Sequence, residues 1–265
     1  MIIINNSFVL ISTTILKMKW SYYMFTSKEG SNVPSVSFPI RENDEWISRT
    51  TDEIFTNKTV VVFSLPGAFT PTCSTSHLPR YSELAPTFFA NGVDEIICLS
   101  VNDTFVMNAW AENRKTSNVS LLPDGNGEFT EAMGLLVDKN ELGFGKRSWR
   151  YAMLVKNGVI DKMFIEPNKP GDPFEVSDAD TMLDYINPNA AKPKAITILT
   201  KPGCPFCVKA KTLLTDKGLA FEELSIGEQI NALAFKALSG ASTYPQVFIE
   251  GQLIGGSDAL AVHLN

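Results

Sequence analysis

The sequence is poor in residues that cross-link a chain or hold a metal. Its 265 residues include four cysteines and two histidines. Four cysteines are too few to staple a chain of this length, which excludes a disulfide-framework protein. Two of them form a close pair, Cys204-Pro205-Phe206-Cys207. A zinc site there would need two further ligands, and neither His77 nor His263 is near in sequence. No metal is expected. Excess charge of one sign is also missing. The net charge is −6 with Lys and Arg scattered, so neither nucleic acid nor an acidic membrane surface is an expected partner.

A long apolar run is missing too. Residues Met1 to Leu16 are largely apolar but are interrupted by Asn5 and Asn6, short of the ~20 apolar residues of a membrane span. The first basic residue, Lys17, follows the apolar part, and no small-residue cleavage site is evident, so a secretory signal fits poorly. The preferred expectation for residues 1–26 is an unstructured or mis-assigned extension, with Met24 or Met18 as the true start. A membrane anchor is the alternative. A cytoplasmic protein is expected, in which sequons such as Asn57-Lys58-Thr59 carry no meaning.

The length suffices for two domains. The stretch from Asn187 to Lys194 holds two prolines and no apolar periodicity. It marks a boundary, with domains expected at 27–186 and 194–265 and a short linker at 187–193. In the first domain, Thr59–Leu65, Glu95–Val101 and Val119–Leu122 read as central strands. Helices are expected at Ser74–Ala90 and Thr104–Asn113. Asp44-Glu45-Trp46 reads as a turn into a short strand. Arg150–Val155 and Val159–Ile165 flank Asn157-Gly158, a strong hairpin signal. Ser177, with Asp180 three residues on, reads as the start of a helix ending near Ile186. In the second domain the expected order is strand Ala195–Thr200, a helix after Cys204 to about Lys217, and strand Ala220–Leu224. Helix Ile230–Leu238, strands Gln246–Glu250 and Gln252–Ile254, and a last helix follow.

The chemistry is expected at Pro66-Gly67-Ala68-Phe69-Thr70-Pro71-Thr72-Cys73. Cys73 falls where a buried strand has turned into the first turn of a helix. Unpaired N–H groups and the helix dipole favour an anion there, and the thiolate is the reactive form of cysteine. A buried structural cysteine is the plainer reading, and the setting argues against it. Cys98, mid-strand between Ile97 and Leu99, is expected in the core rather than as a resolving thiol. Cys204 is likewise placed at a helix start, with Lys201 nearby, and Cys207 is expected to be more buried.

The first of these stretches resembles the peroxiredoxin signature Pro-x-x-x-Thr-x-x-Cys, and its fuller form is similar to the type-five class of that family. The likeness runs from about Val33 to Ile186. The β-α-β-α-β-β-α order around Cys-x-x-Cys resembles glutaredoxin across residues 194–265. Together they imply an α/β protein with two thioredoxin-fold domains in tandem. They imply a thiol peroxidase in which Cys73 attacks hydrogen peroxide or a small alkyl hydroperoxide, giving a sulfenic acid that a thiol can reverse. Thr70 and the Cys73 amide would hold the peroxide oxygens, Pro66 would shield the pocket, and Arg150 would stabilise thiolate and transition state. Arg150-Tyr151-Ala152-Met153 is similar to the segment in which the class carries its active-site arginine. Arg147 is the alternative, and Arg150 is favoured because it directly precedes the matching strand. His77, one turn after Cys73, either tunes the thiolate or, the favoured reading, makes a structural hydrogen bond.

The glutaredoxin likeness implies glutathione as reducing co-substrate, with no bound cofactor. Cys204 would take the glutathionyl group from Cys73, and Cys204 and Cys207 form the redox pair. Lys201 would meet a carboxylate, and Phe206 stands where Tyr is frequent. Thr243, Tyr244 and Pro245 would pair with the peptide before an expected cis proline. Gly256, Ser257 and Asp258 would close the far end. Tyr244 and Ala259 depart from the pattern, in place of a small β-branched and an acidic residue. A homo-oligomer built through the first domain is expected. Two rival readings stand beside this one. The first is a deglutathionylating oxidoreductase with a peroxide-sensing half. The second is an iron–sulfur carrier on Cys204, against which Pro205 argues.

Overall fold

The computed structural model describes residues 25–42 and 44–264. The expectations for residues 1–24 lie outside them. The first domain opens with the antiparallel pair β1 (Ser37–Glu42) and β2 (Glu45–Thr50). Helix α1 (Thr51–Phe55) follows, started by a capping box in which Thr50 and Glu53 satisfy each other's backbone N–H groups. Next come β3 (Thr59–Ser64), a π-helical turn at Cys73–His77 and α2 (Leu78–Ala90). They are followed by β4 (Glu95–Ser100), α3 (Thr104–Arg114), β5 (Ser120–Pro123) and α4 (Glu128–Ala132). A small pair, β6 (Leu136–Asp138) and β7 (Lys146–Ser148), precedes the hairpin β8 (Tyr151–Lys156) and β9 (Val159–Ile165). Helix α5 (Ala179–Ile186) ends the domain's regular structure.

The central sheet has the order β5-β4-β3-β8-β9, with β3 parallel to β4 and antiparallel to β8. Strand β3 carries the unbroken apolar run Val60–Phe63, as a strand buried on both faces requires. Val61 and Phe63 join the core under α2, α3 and α5, while Val60 and Val62 join the opposite core with Phe38, Ile54 and Phe129. That second layer draws on β1, α1 and α4, for which the sequence offered no helix or strand beyond the turn at Asp44.

Two helix starts differ from expectation. The helix expected over Ser74–Ala90 begins as a π turn, in which the Leu78 N–H donates to the Cys73 carbonyl five residues back. Pro79 follows at once and has no N–H to lose to the changed register. The cap of α5 is Asp178, not Ser177: its carboxylate accepts from the Thr181 N–H at 2.9 Å. Ser177 is engaged elsewhere, giving both its N–H and its hydroxyl to Glu166, each at 2.8 Å.

In the second domain the sheet order is β11 (Glu222–Ser225), β10 (Ile196–Thr200), β12 (Gln246–Ile249), β13 (Gln252–Gly255). Helices α6 (Pro205–Asp216), α7 (Ala232–Ser239) and α8 (Ser257–His263) accompany it. Its core is small: Ile196, Ile198, Ala210, Leu214, Val247, Ile249 and Leu260. The connecting segment is tied back to the first domain. Lys192 bridges Asp180 and Asp184 at 3.2 and 2.7 Å, and Asn187 donates to Asn91 at 2.7 Å.

Candidate active sites

The loop between β3 and the π turn is held by short polar contacts. The Thr70 hydroxyl donates to the Gly67 carbonyl at 2.8 Å, and the Ser74 N–H donates to the Thr70 carbonyl at 3.0 Å. The Ala68 N–H donates to the Asn102 side chain at 3.0 Å, which also accepts from Ser100 at 2.8 Å. No sequence pattern marks Asn102; the β3–β4 pairing brings its loop beside Gly67 and Ala68. Phe69, at the tip, adopts a left-handed φ of 62° and is half exposed. A bulky residue holds that conformation only where its surroundings impose it, and such positions gather at functional sites.

Cys73 is buried, and Arg150 comes to it from the start of β8. Nη1 and Nη2 of Arg150 lie 3.5 and 3.6 Å from Sγ. Arg147 goes elsewhere, with Nη1 on the Val101 carbonyl at 2.6 Å and Nε on the Phe144 carbonyl at 2.9 Å. The guanidinium of Arg150 is 1% exposed. Burial works against its charge, but the electrostatic pull of Cys73, then the hydrogen bond and charge of Asp172, outweigh this and hold its pKa above the ordinary value. His77 accepts from Arg150 Nη1 through Nδ1 at 3.0 Å, which leaves Nε2–H to donate to the Ser177 carbonyl at 3.1 Å. Burial, and then the charge of Arg150, push its pKa down to about 3, so it is a neutral orienting group.

The loop after β9 completes the site, and no motif announced it. Asp172 meets Arg150 Nη2 at 2.5 and 2.6 Å. The Phe174 ring lies 5.5 Å from the guanidinium carbon and 4.9 Å from the His77 ring. The buried Glu166 carboxylate organises this loop by accepting from the N–H groups of Glu175, Val176 and Ser177.

In the second domain Cys204 is the N-cap of α6, and its Sγ accepts from the Cys207 N–H at 3.2 Å. Both cysteines are free thiols, 8% and 3% exposed. Burial, and then the contact with Cys204, push the Cys207 thiol up to about 11. A cleft of ≈ 360 Å³ runs beside them, lined by Lys201, Cys204, Cys207, Lys211, Glu223 and Gln229 among others. The last three were not foreseen; they converge because β11 lies beside β10. Phe206 is 57% exposed. The Tyr244–Pro245 bond is cis, and the Tyr244 carbonyl lies 3.8 Å from Cys204 Sγ. The Thr243 carbonyl accepts from Gln246 at 2.8 Å. Gly256 caps α8, Ser257 is buried behind it, and none of Gly256, Ser257 and Asp258 lines the cleft. Asp258 instead pairs with Lys209 at 2.7 Å, tying α8 to α6. The departure at Tyr244 has a structural use: its ring stacks on Phe235 at 4.1 Å and lies 5.7 Å from Lys201 Nζ.

Two α/β domains, one holding a buried cysteine against an arginine and the other a Cys-x-x-Cys at a helix start, define a thiol-redox enzyme. The Redoxin family model matches residues 28–183 and the Glutaredoxin model residues 196–254. Hybrid peroxiredoxin hyPrx5 of Haemophilus influenzae is 65% identical over 235 residues, covering 89% of this chain and 98% of that protein. Peroxiredoxin sll1621 of Synechocystis is 60% identical, covering 58% of this chain and 88% of its own length. The crystal structure of reduced Prx3 of Vibrio vulnificus in complex with hydrogen peroxide is 41% identical. It superposes with a TM-score of 0.57 over 61% of this chain and 99% of its own. The chain belongs to the peroxiredoxins, as a peroxiredoxin–glutaredoxin fusion, and is a thiol peroxidase. Among the described residues no helix is long and apolar enough to cross a membrane.

Proposed function

We propose that the protein is a glutathione-dependent peroxidase of hydrogen peroxide and small alkyl hydroperoxides, acting in the reducing cytoplasm. The observation that carries this reading is the pairing, in one chain, of the Arg150-held Cys73 with a cleft-lining Cys204. The Cys73 thiolate attacks one peroxide oxygen, the O–O bond breaks, and the other oxygen leaves as hydroxide or alkoxide. Arg150 stabilises the thiolate and the charge passing to the leaving oxygen. The Thr70 hydroxyl, which donates to the Gly67 carbonyl, and the Cys73 amide are the expected partners of the peroxide. Pro66 shields the pocket.

The resulting sulfenic acid condenses with glutathione, releasing water. Cys204 thiolate then takes the glutathionyl group and expels the Cys73 thiolate, and a second glutathione releases oxidised glutathione from Cys204. A Cys207 thiol raised to about 11 stays protonated at neutral pH, which disfavours its attack on Cys204 and supports a one-thiol route. Lys201 carries the charge for a glutathione carboxylate, Phe206 and the Thr243–Pro245 edge flank the peptide, and Gly256, Ser257 and Asp258 belong to the helix start beyond. The exposed Trp46, Ile47 and Phe105 favour assembly of the first domain with a second copy.

Steady-state turnover of hydrogen peroxide with glutathione as the only thiol tests the scheme. The parent chain and Cys207→Ser should turn over. Cys204→Ser should not, while its Cys73 is still oxidised once. Equal loss in the two variants would refute the one-thiol route. Loss of turnover in the parent would refute glutathione dependence.

A further inference from the structure

Arg150 is buried, but the group that neutralises it is not. Asp172 is 43% exposed and reaches in from the loop between β9 and α5. One nitrogen, Arg150 Nη2, lies 2.5 Å from the Asp172 carboxylate and 3.6 Å from Cys73 Sγ, so the carboxylate is no more than 6.1 Å from the sulfur. The loop is built to keep it there. Gly171 supplies a φ of +94° just before Asp172, and Pro173 follows it. Glu166 anchors the next turn through three backbone N–H groups, and Phe174 lies over the guanidinium. Among the described residues, no other carboxylate contacts the Arg150 guanidinium.

We propose that Asp172 is a specificity-determining residue that sets a negative charge beside the reacting sulfur and selects uncharged peroxides over anionic ones. The inference rests on Cys73 being the peroxide-reactive thiol. Without Asp172, the Cys73 thiolate and Arg150 would form a neutral pair, with no charge to turn away a hydroperoxide that carries its own carboxylate. With it, the three groups together carry one net negative charge. An incoming carboxylate must either approach a like charge or displace it from a bidentate contact. A neutral hydroperoxide meets neither obstacle. The reaction is the same for both: the sulfur lone pair forms the S–O bond, the O–O bond breaks, and alkoxide departs.

A matched pair of substrates isolates the effect: a short alkyl hydroperoxide bearing a carboxylate, and its methyl ester. Second-order rate constants for Cys73 oxidation are measured by stopped flow in the full chain and in Asp172→Asn, Asp172→Ser and Asp172→Glu. The parent should prefer the ester by about tenfold, and added salt should narrow that preference. Asp172→Asn and Asp172→Ser should bring the ratio to about one or below, while Asp172→Glu keeps it. The ratio cancels any common loss from a shifted loop, and the two neutral variants guard against one that folds poorly. An ester-to-carboxylate ratio that is the same in the parent and both neutral variants overturns the proposal. A parent whose Cys73 is not oxidised by either substrate, or by hydrogen peroxide, overturns instead the assignment of Cys73.

Discussion

Cys73 and Cys204 each follow a buried strand and a turn containing proline and glycine, and each begins a helix. Their surroundings differ in what they bring to the sulfur. Around Cys73 the contacts come from far along the chain: Arg150 lies 77 residues on, and Asp172 lies 22 residues beyond that arginine. Around Cys204 the closest contact is local, the N–H of Cys207 three residues on, and the cleft is open on one side. The first arrangement suits a thiol that must polarise a small, weakly binding oxidant in a desolvated pocket. The second suits the proposed route, in which the thiol admits another cysteine's mixed disulfide and then a tripeptide. One fold type thus carries two reactivities because one domain sets a charged wall against its sulfur and the other spreads its charged groups along an open cleft.

The contrast breaks most readily at the wall. Arg150→Ala should slow Cys73 oxidation by ~10²-fold or more, whereas Arg147→Ala, whose side chain is bound to the Val101 and Phe144 carbonyls, should do much less. Stopped-flow oxidation of each variant by hydrogen peroxide checks this, and similar rates for the two would remove Arg150 from its role. Neither substitution should alter the exchange of glutathione at Cys204.

The second expectation concerns acid. His77 is neutral in the fold, with a pKa near 3 against the ordinary ~6.5 in an unfolded chain. A folded pKa below the unfolded one means that the unfolded chain binds the extra proton. Stability is therefore whole above pH ~6.5 and is lost as pH falls toward 3, by ~2 kcal/mol at pH 5. Denaturant midpoints of the first domain in the full chain, followed from pH 7.5 to 5, should fall more steeply in the parent than in His77→Gln. Parallel slopes would mean that the imidazole is not held neutral.

The smallest effect is expected at Tyr244. If its ring positions Lys201 for a glutathione carboxylate, Tyr244→Val should raise the KM for glutathione about two- to fivefold with kcat little changed. Tyr244→Phe should restore it. Equal KM values for Val, Phe and Tyr would show that the stack on Phe235 is packing alone.

Much of this protein could be read from short-range pattern. The apolar run Val60–Phe63 identified the central strand, because a strand buried on both faces has no polar alternation to confuse it. Asn157-Gly158 marked the β8–β9 turn, because few residue pairs adopt its left-handed angles at low cost. The positions of Cys73 and Cys204 followed from strand, turn and helix in succession. Arg150 directly precedes β8, and it is this side chain, not that of Arg147, that reaches the sulfur. The outer layer was not legible. Strand β1 is six residues long with Pro39 inside it, and α1 and α4 have five residues each, too short for a period to emerge.

What the sequence alone determined, then, is where each reactive cysteine stands, since a strand's run and a helix's start are local properties of the chain. The tertiary structure decided what each sulfur faces. Asp172 stands in a stretch of prolines and polar residues that reads as an ordinary loop, and Ser177 reads as a helix cap. Only the buried Glu166 carboxylate, gathering Ser177 and the two N–H groups before it, turns that loop over Arg150 and leaves the cap to Asp178. A buried carboxylate must find its donors wherever the fold brings them, and sequence separation does not record that requirement.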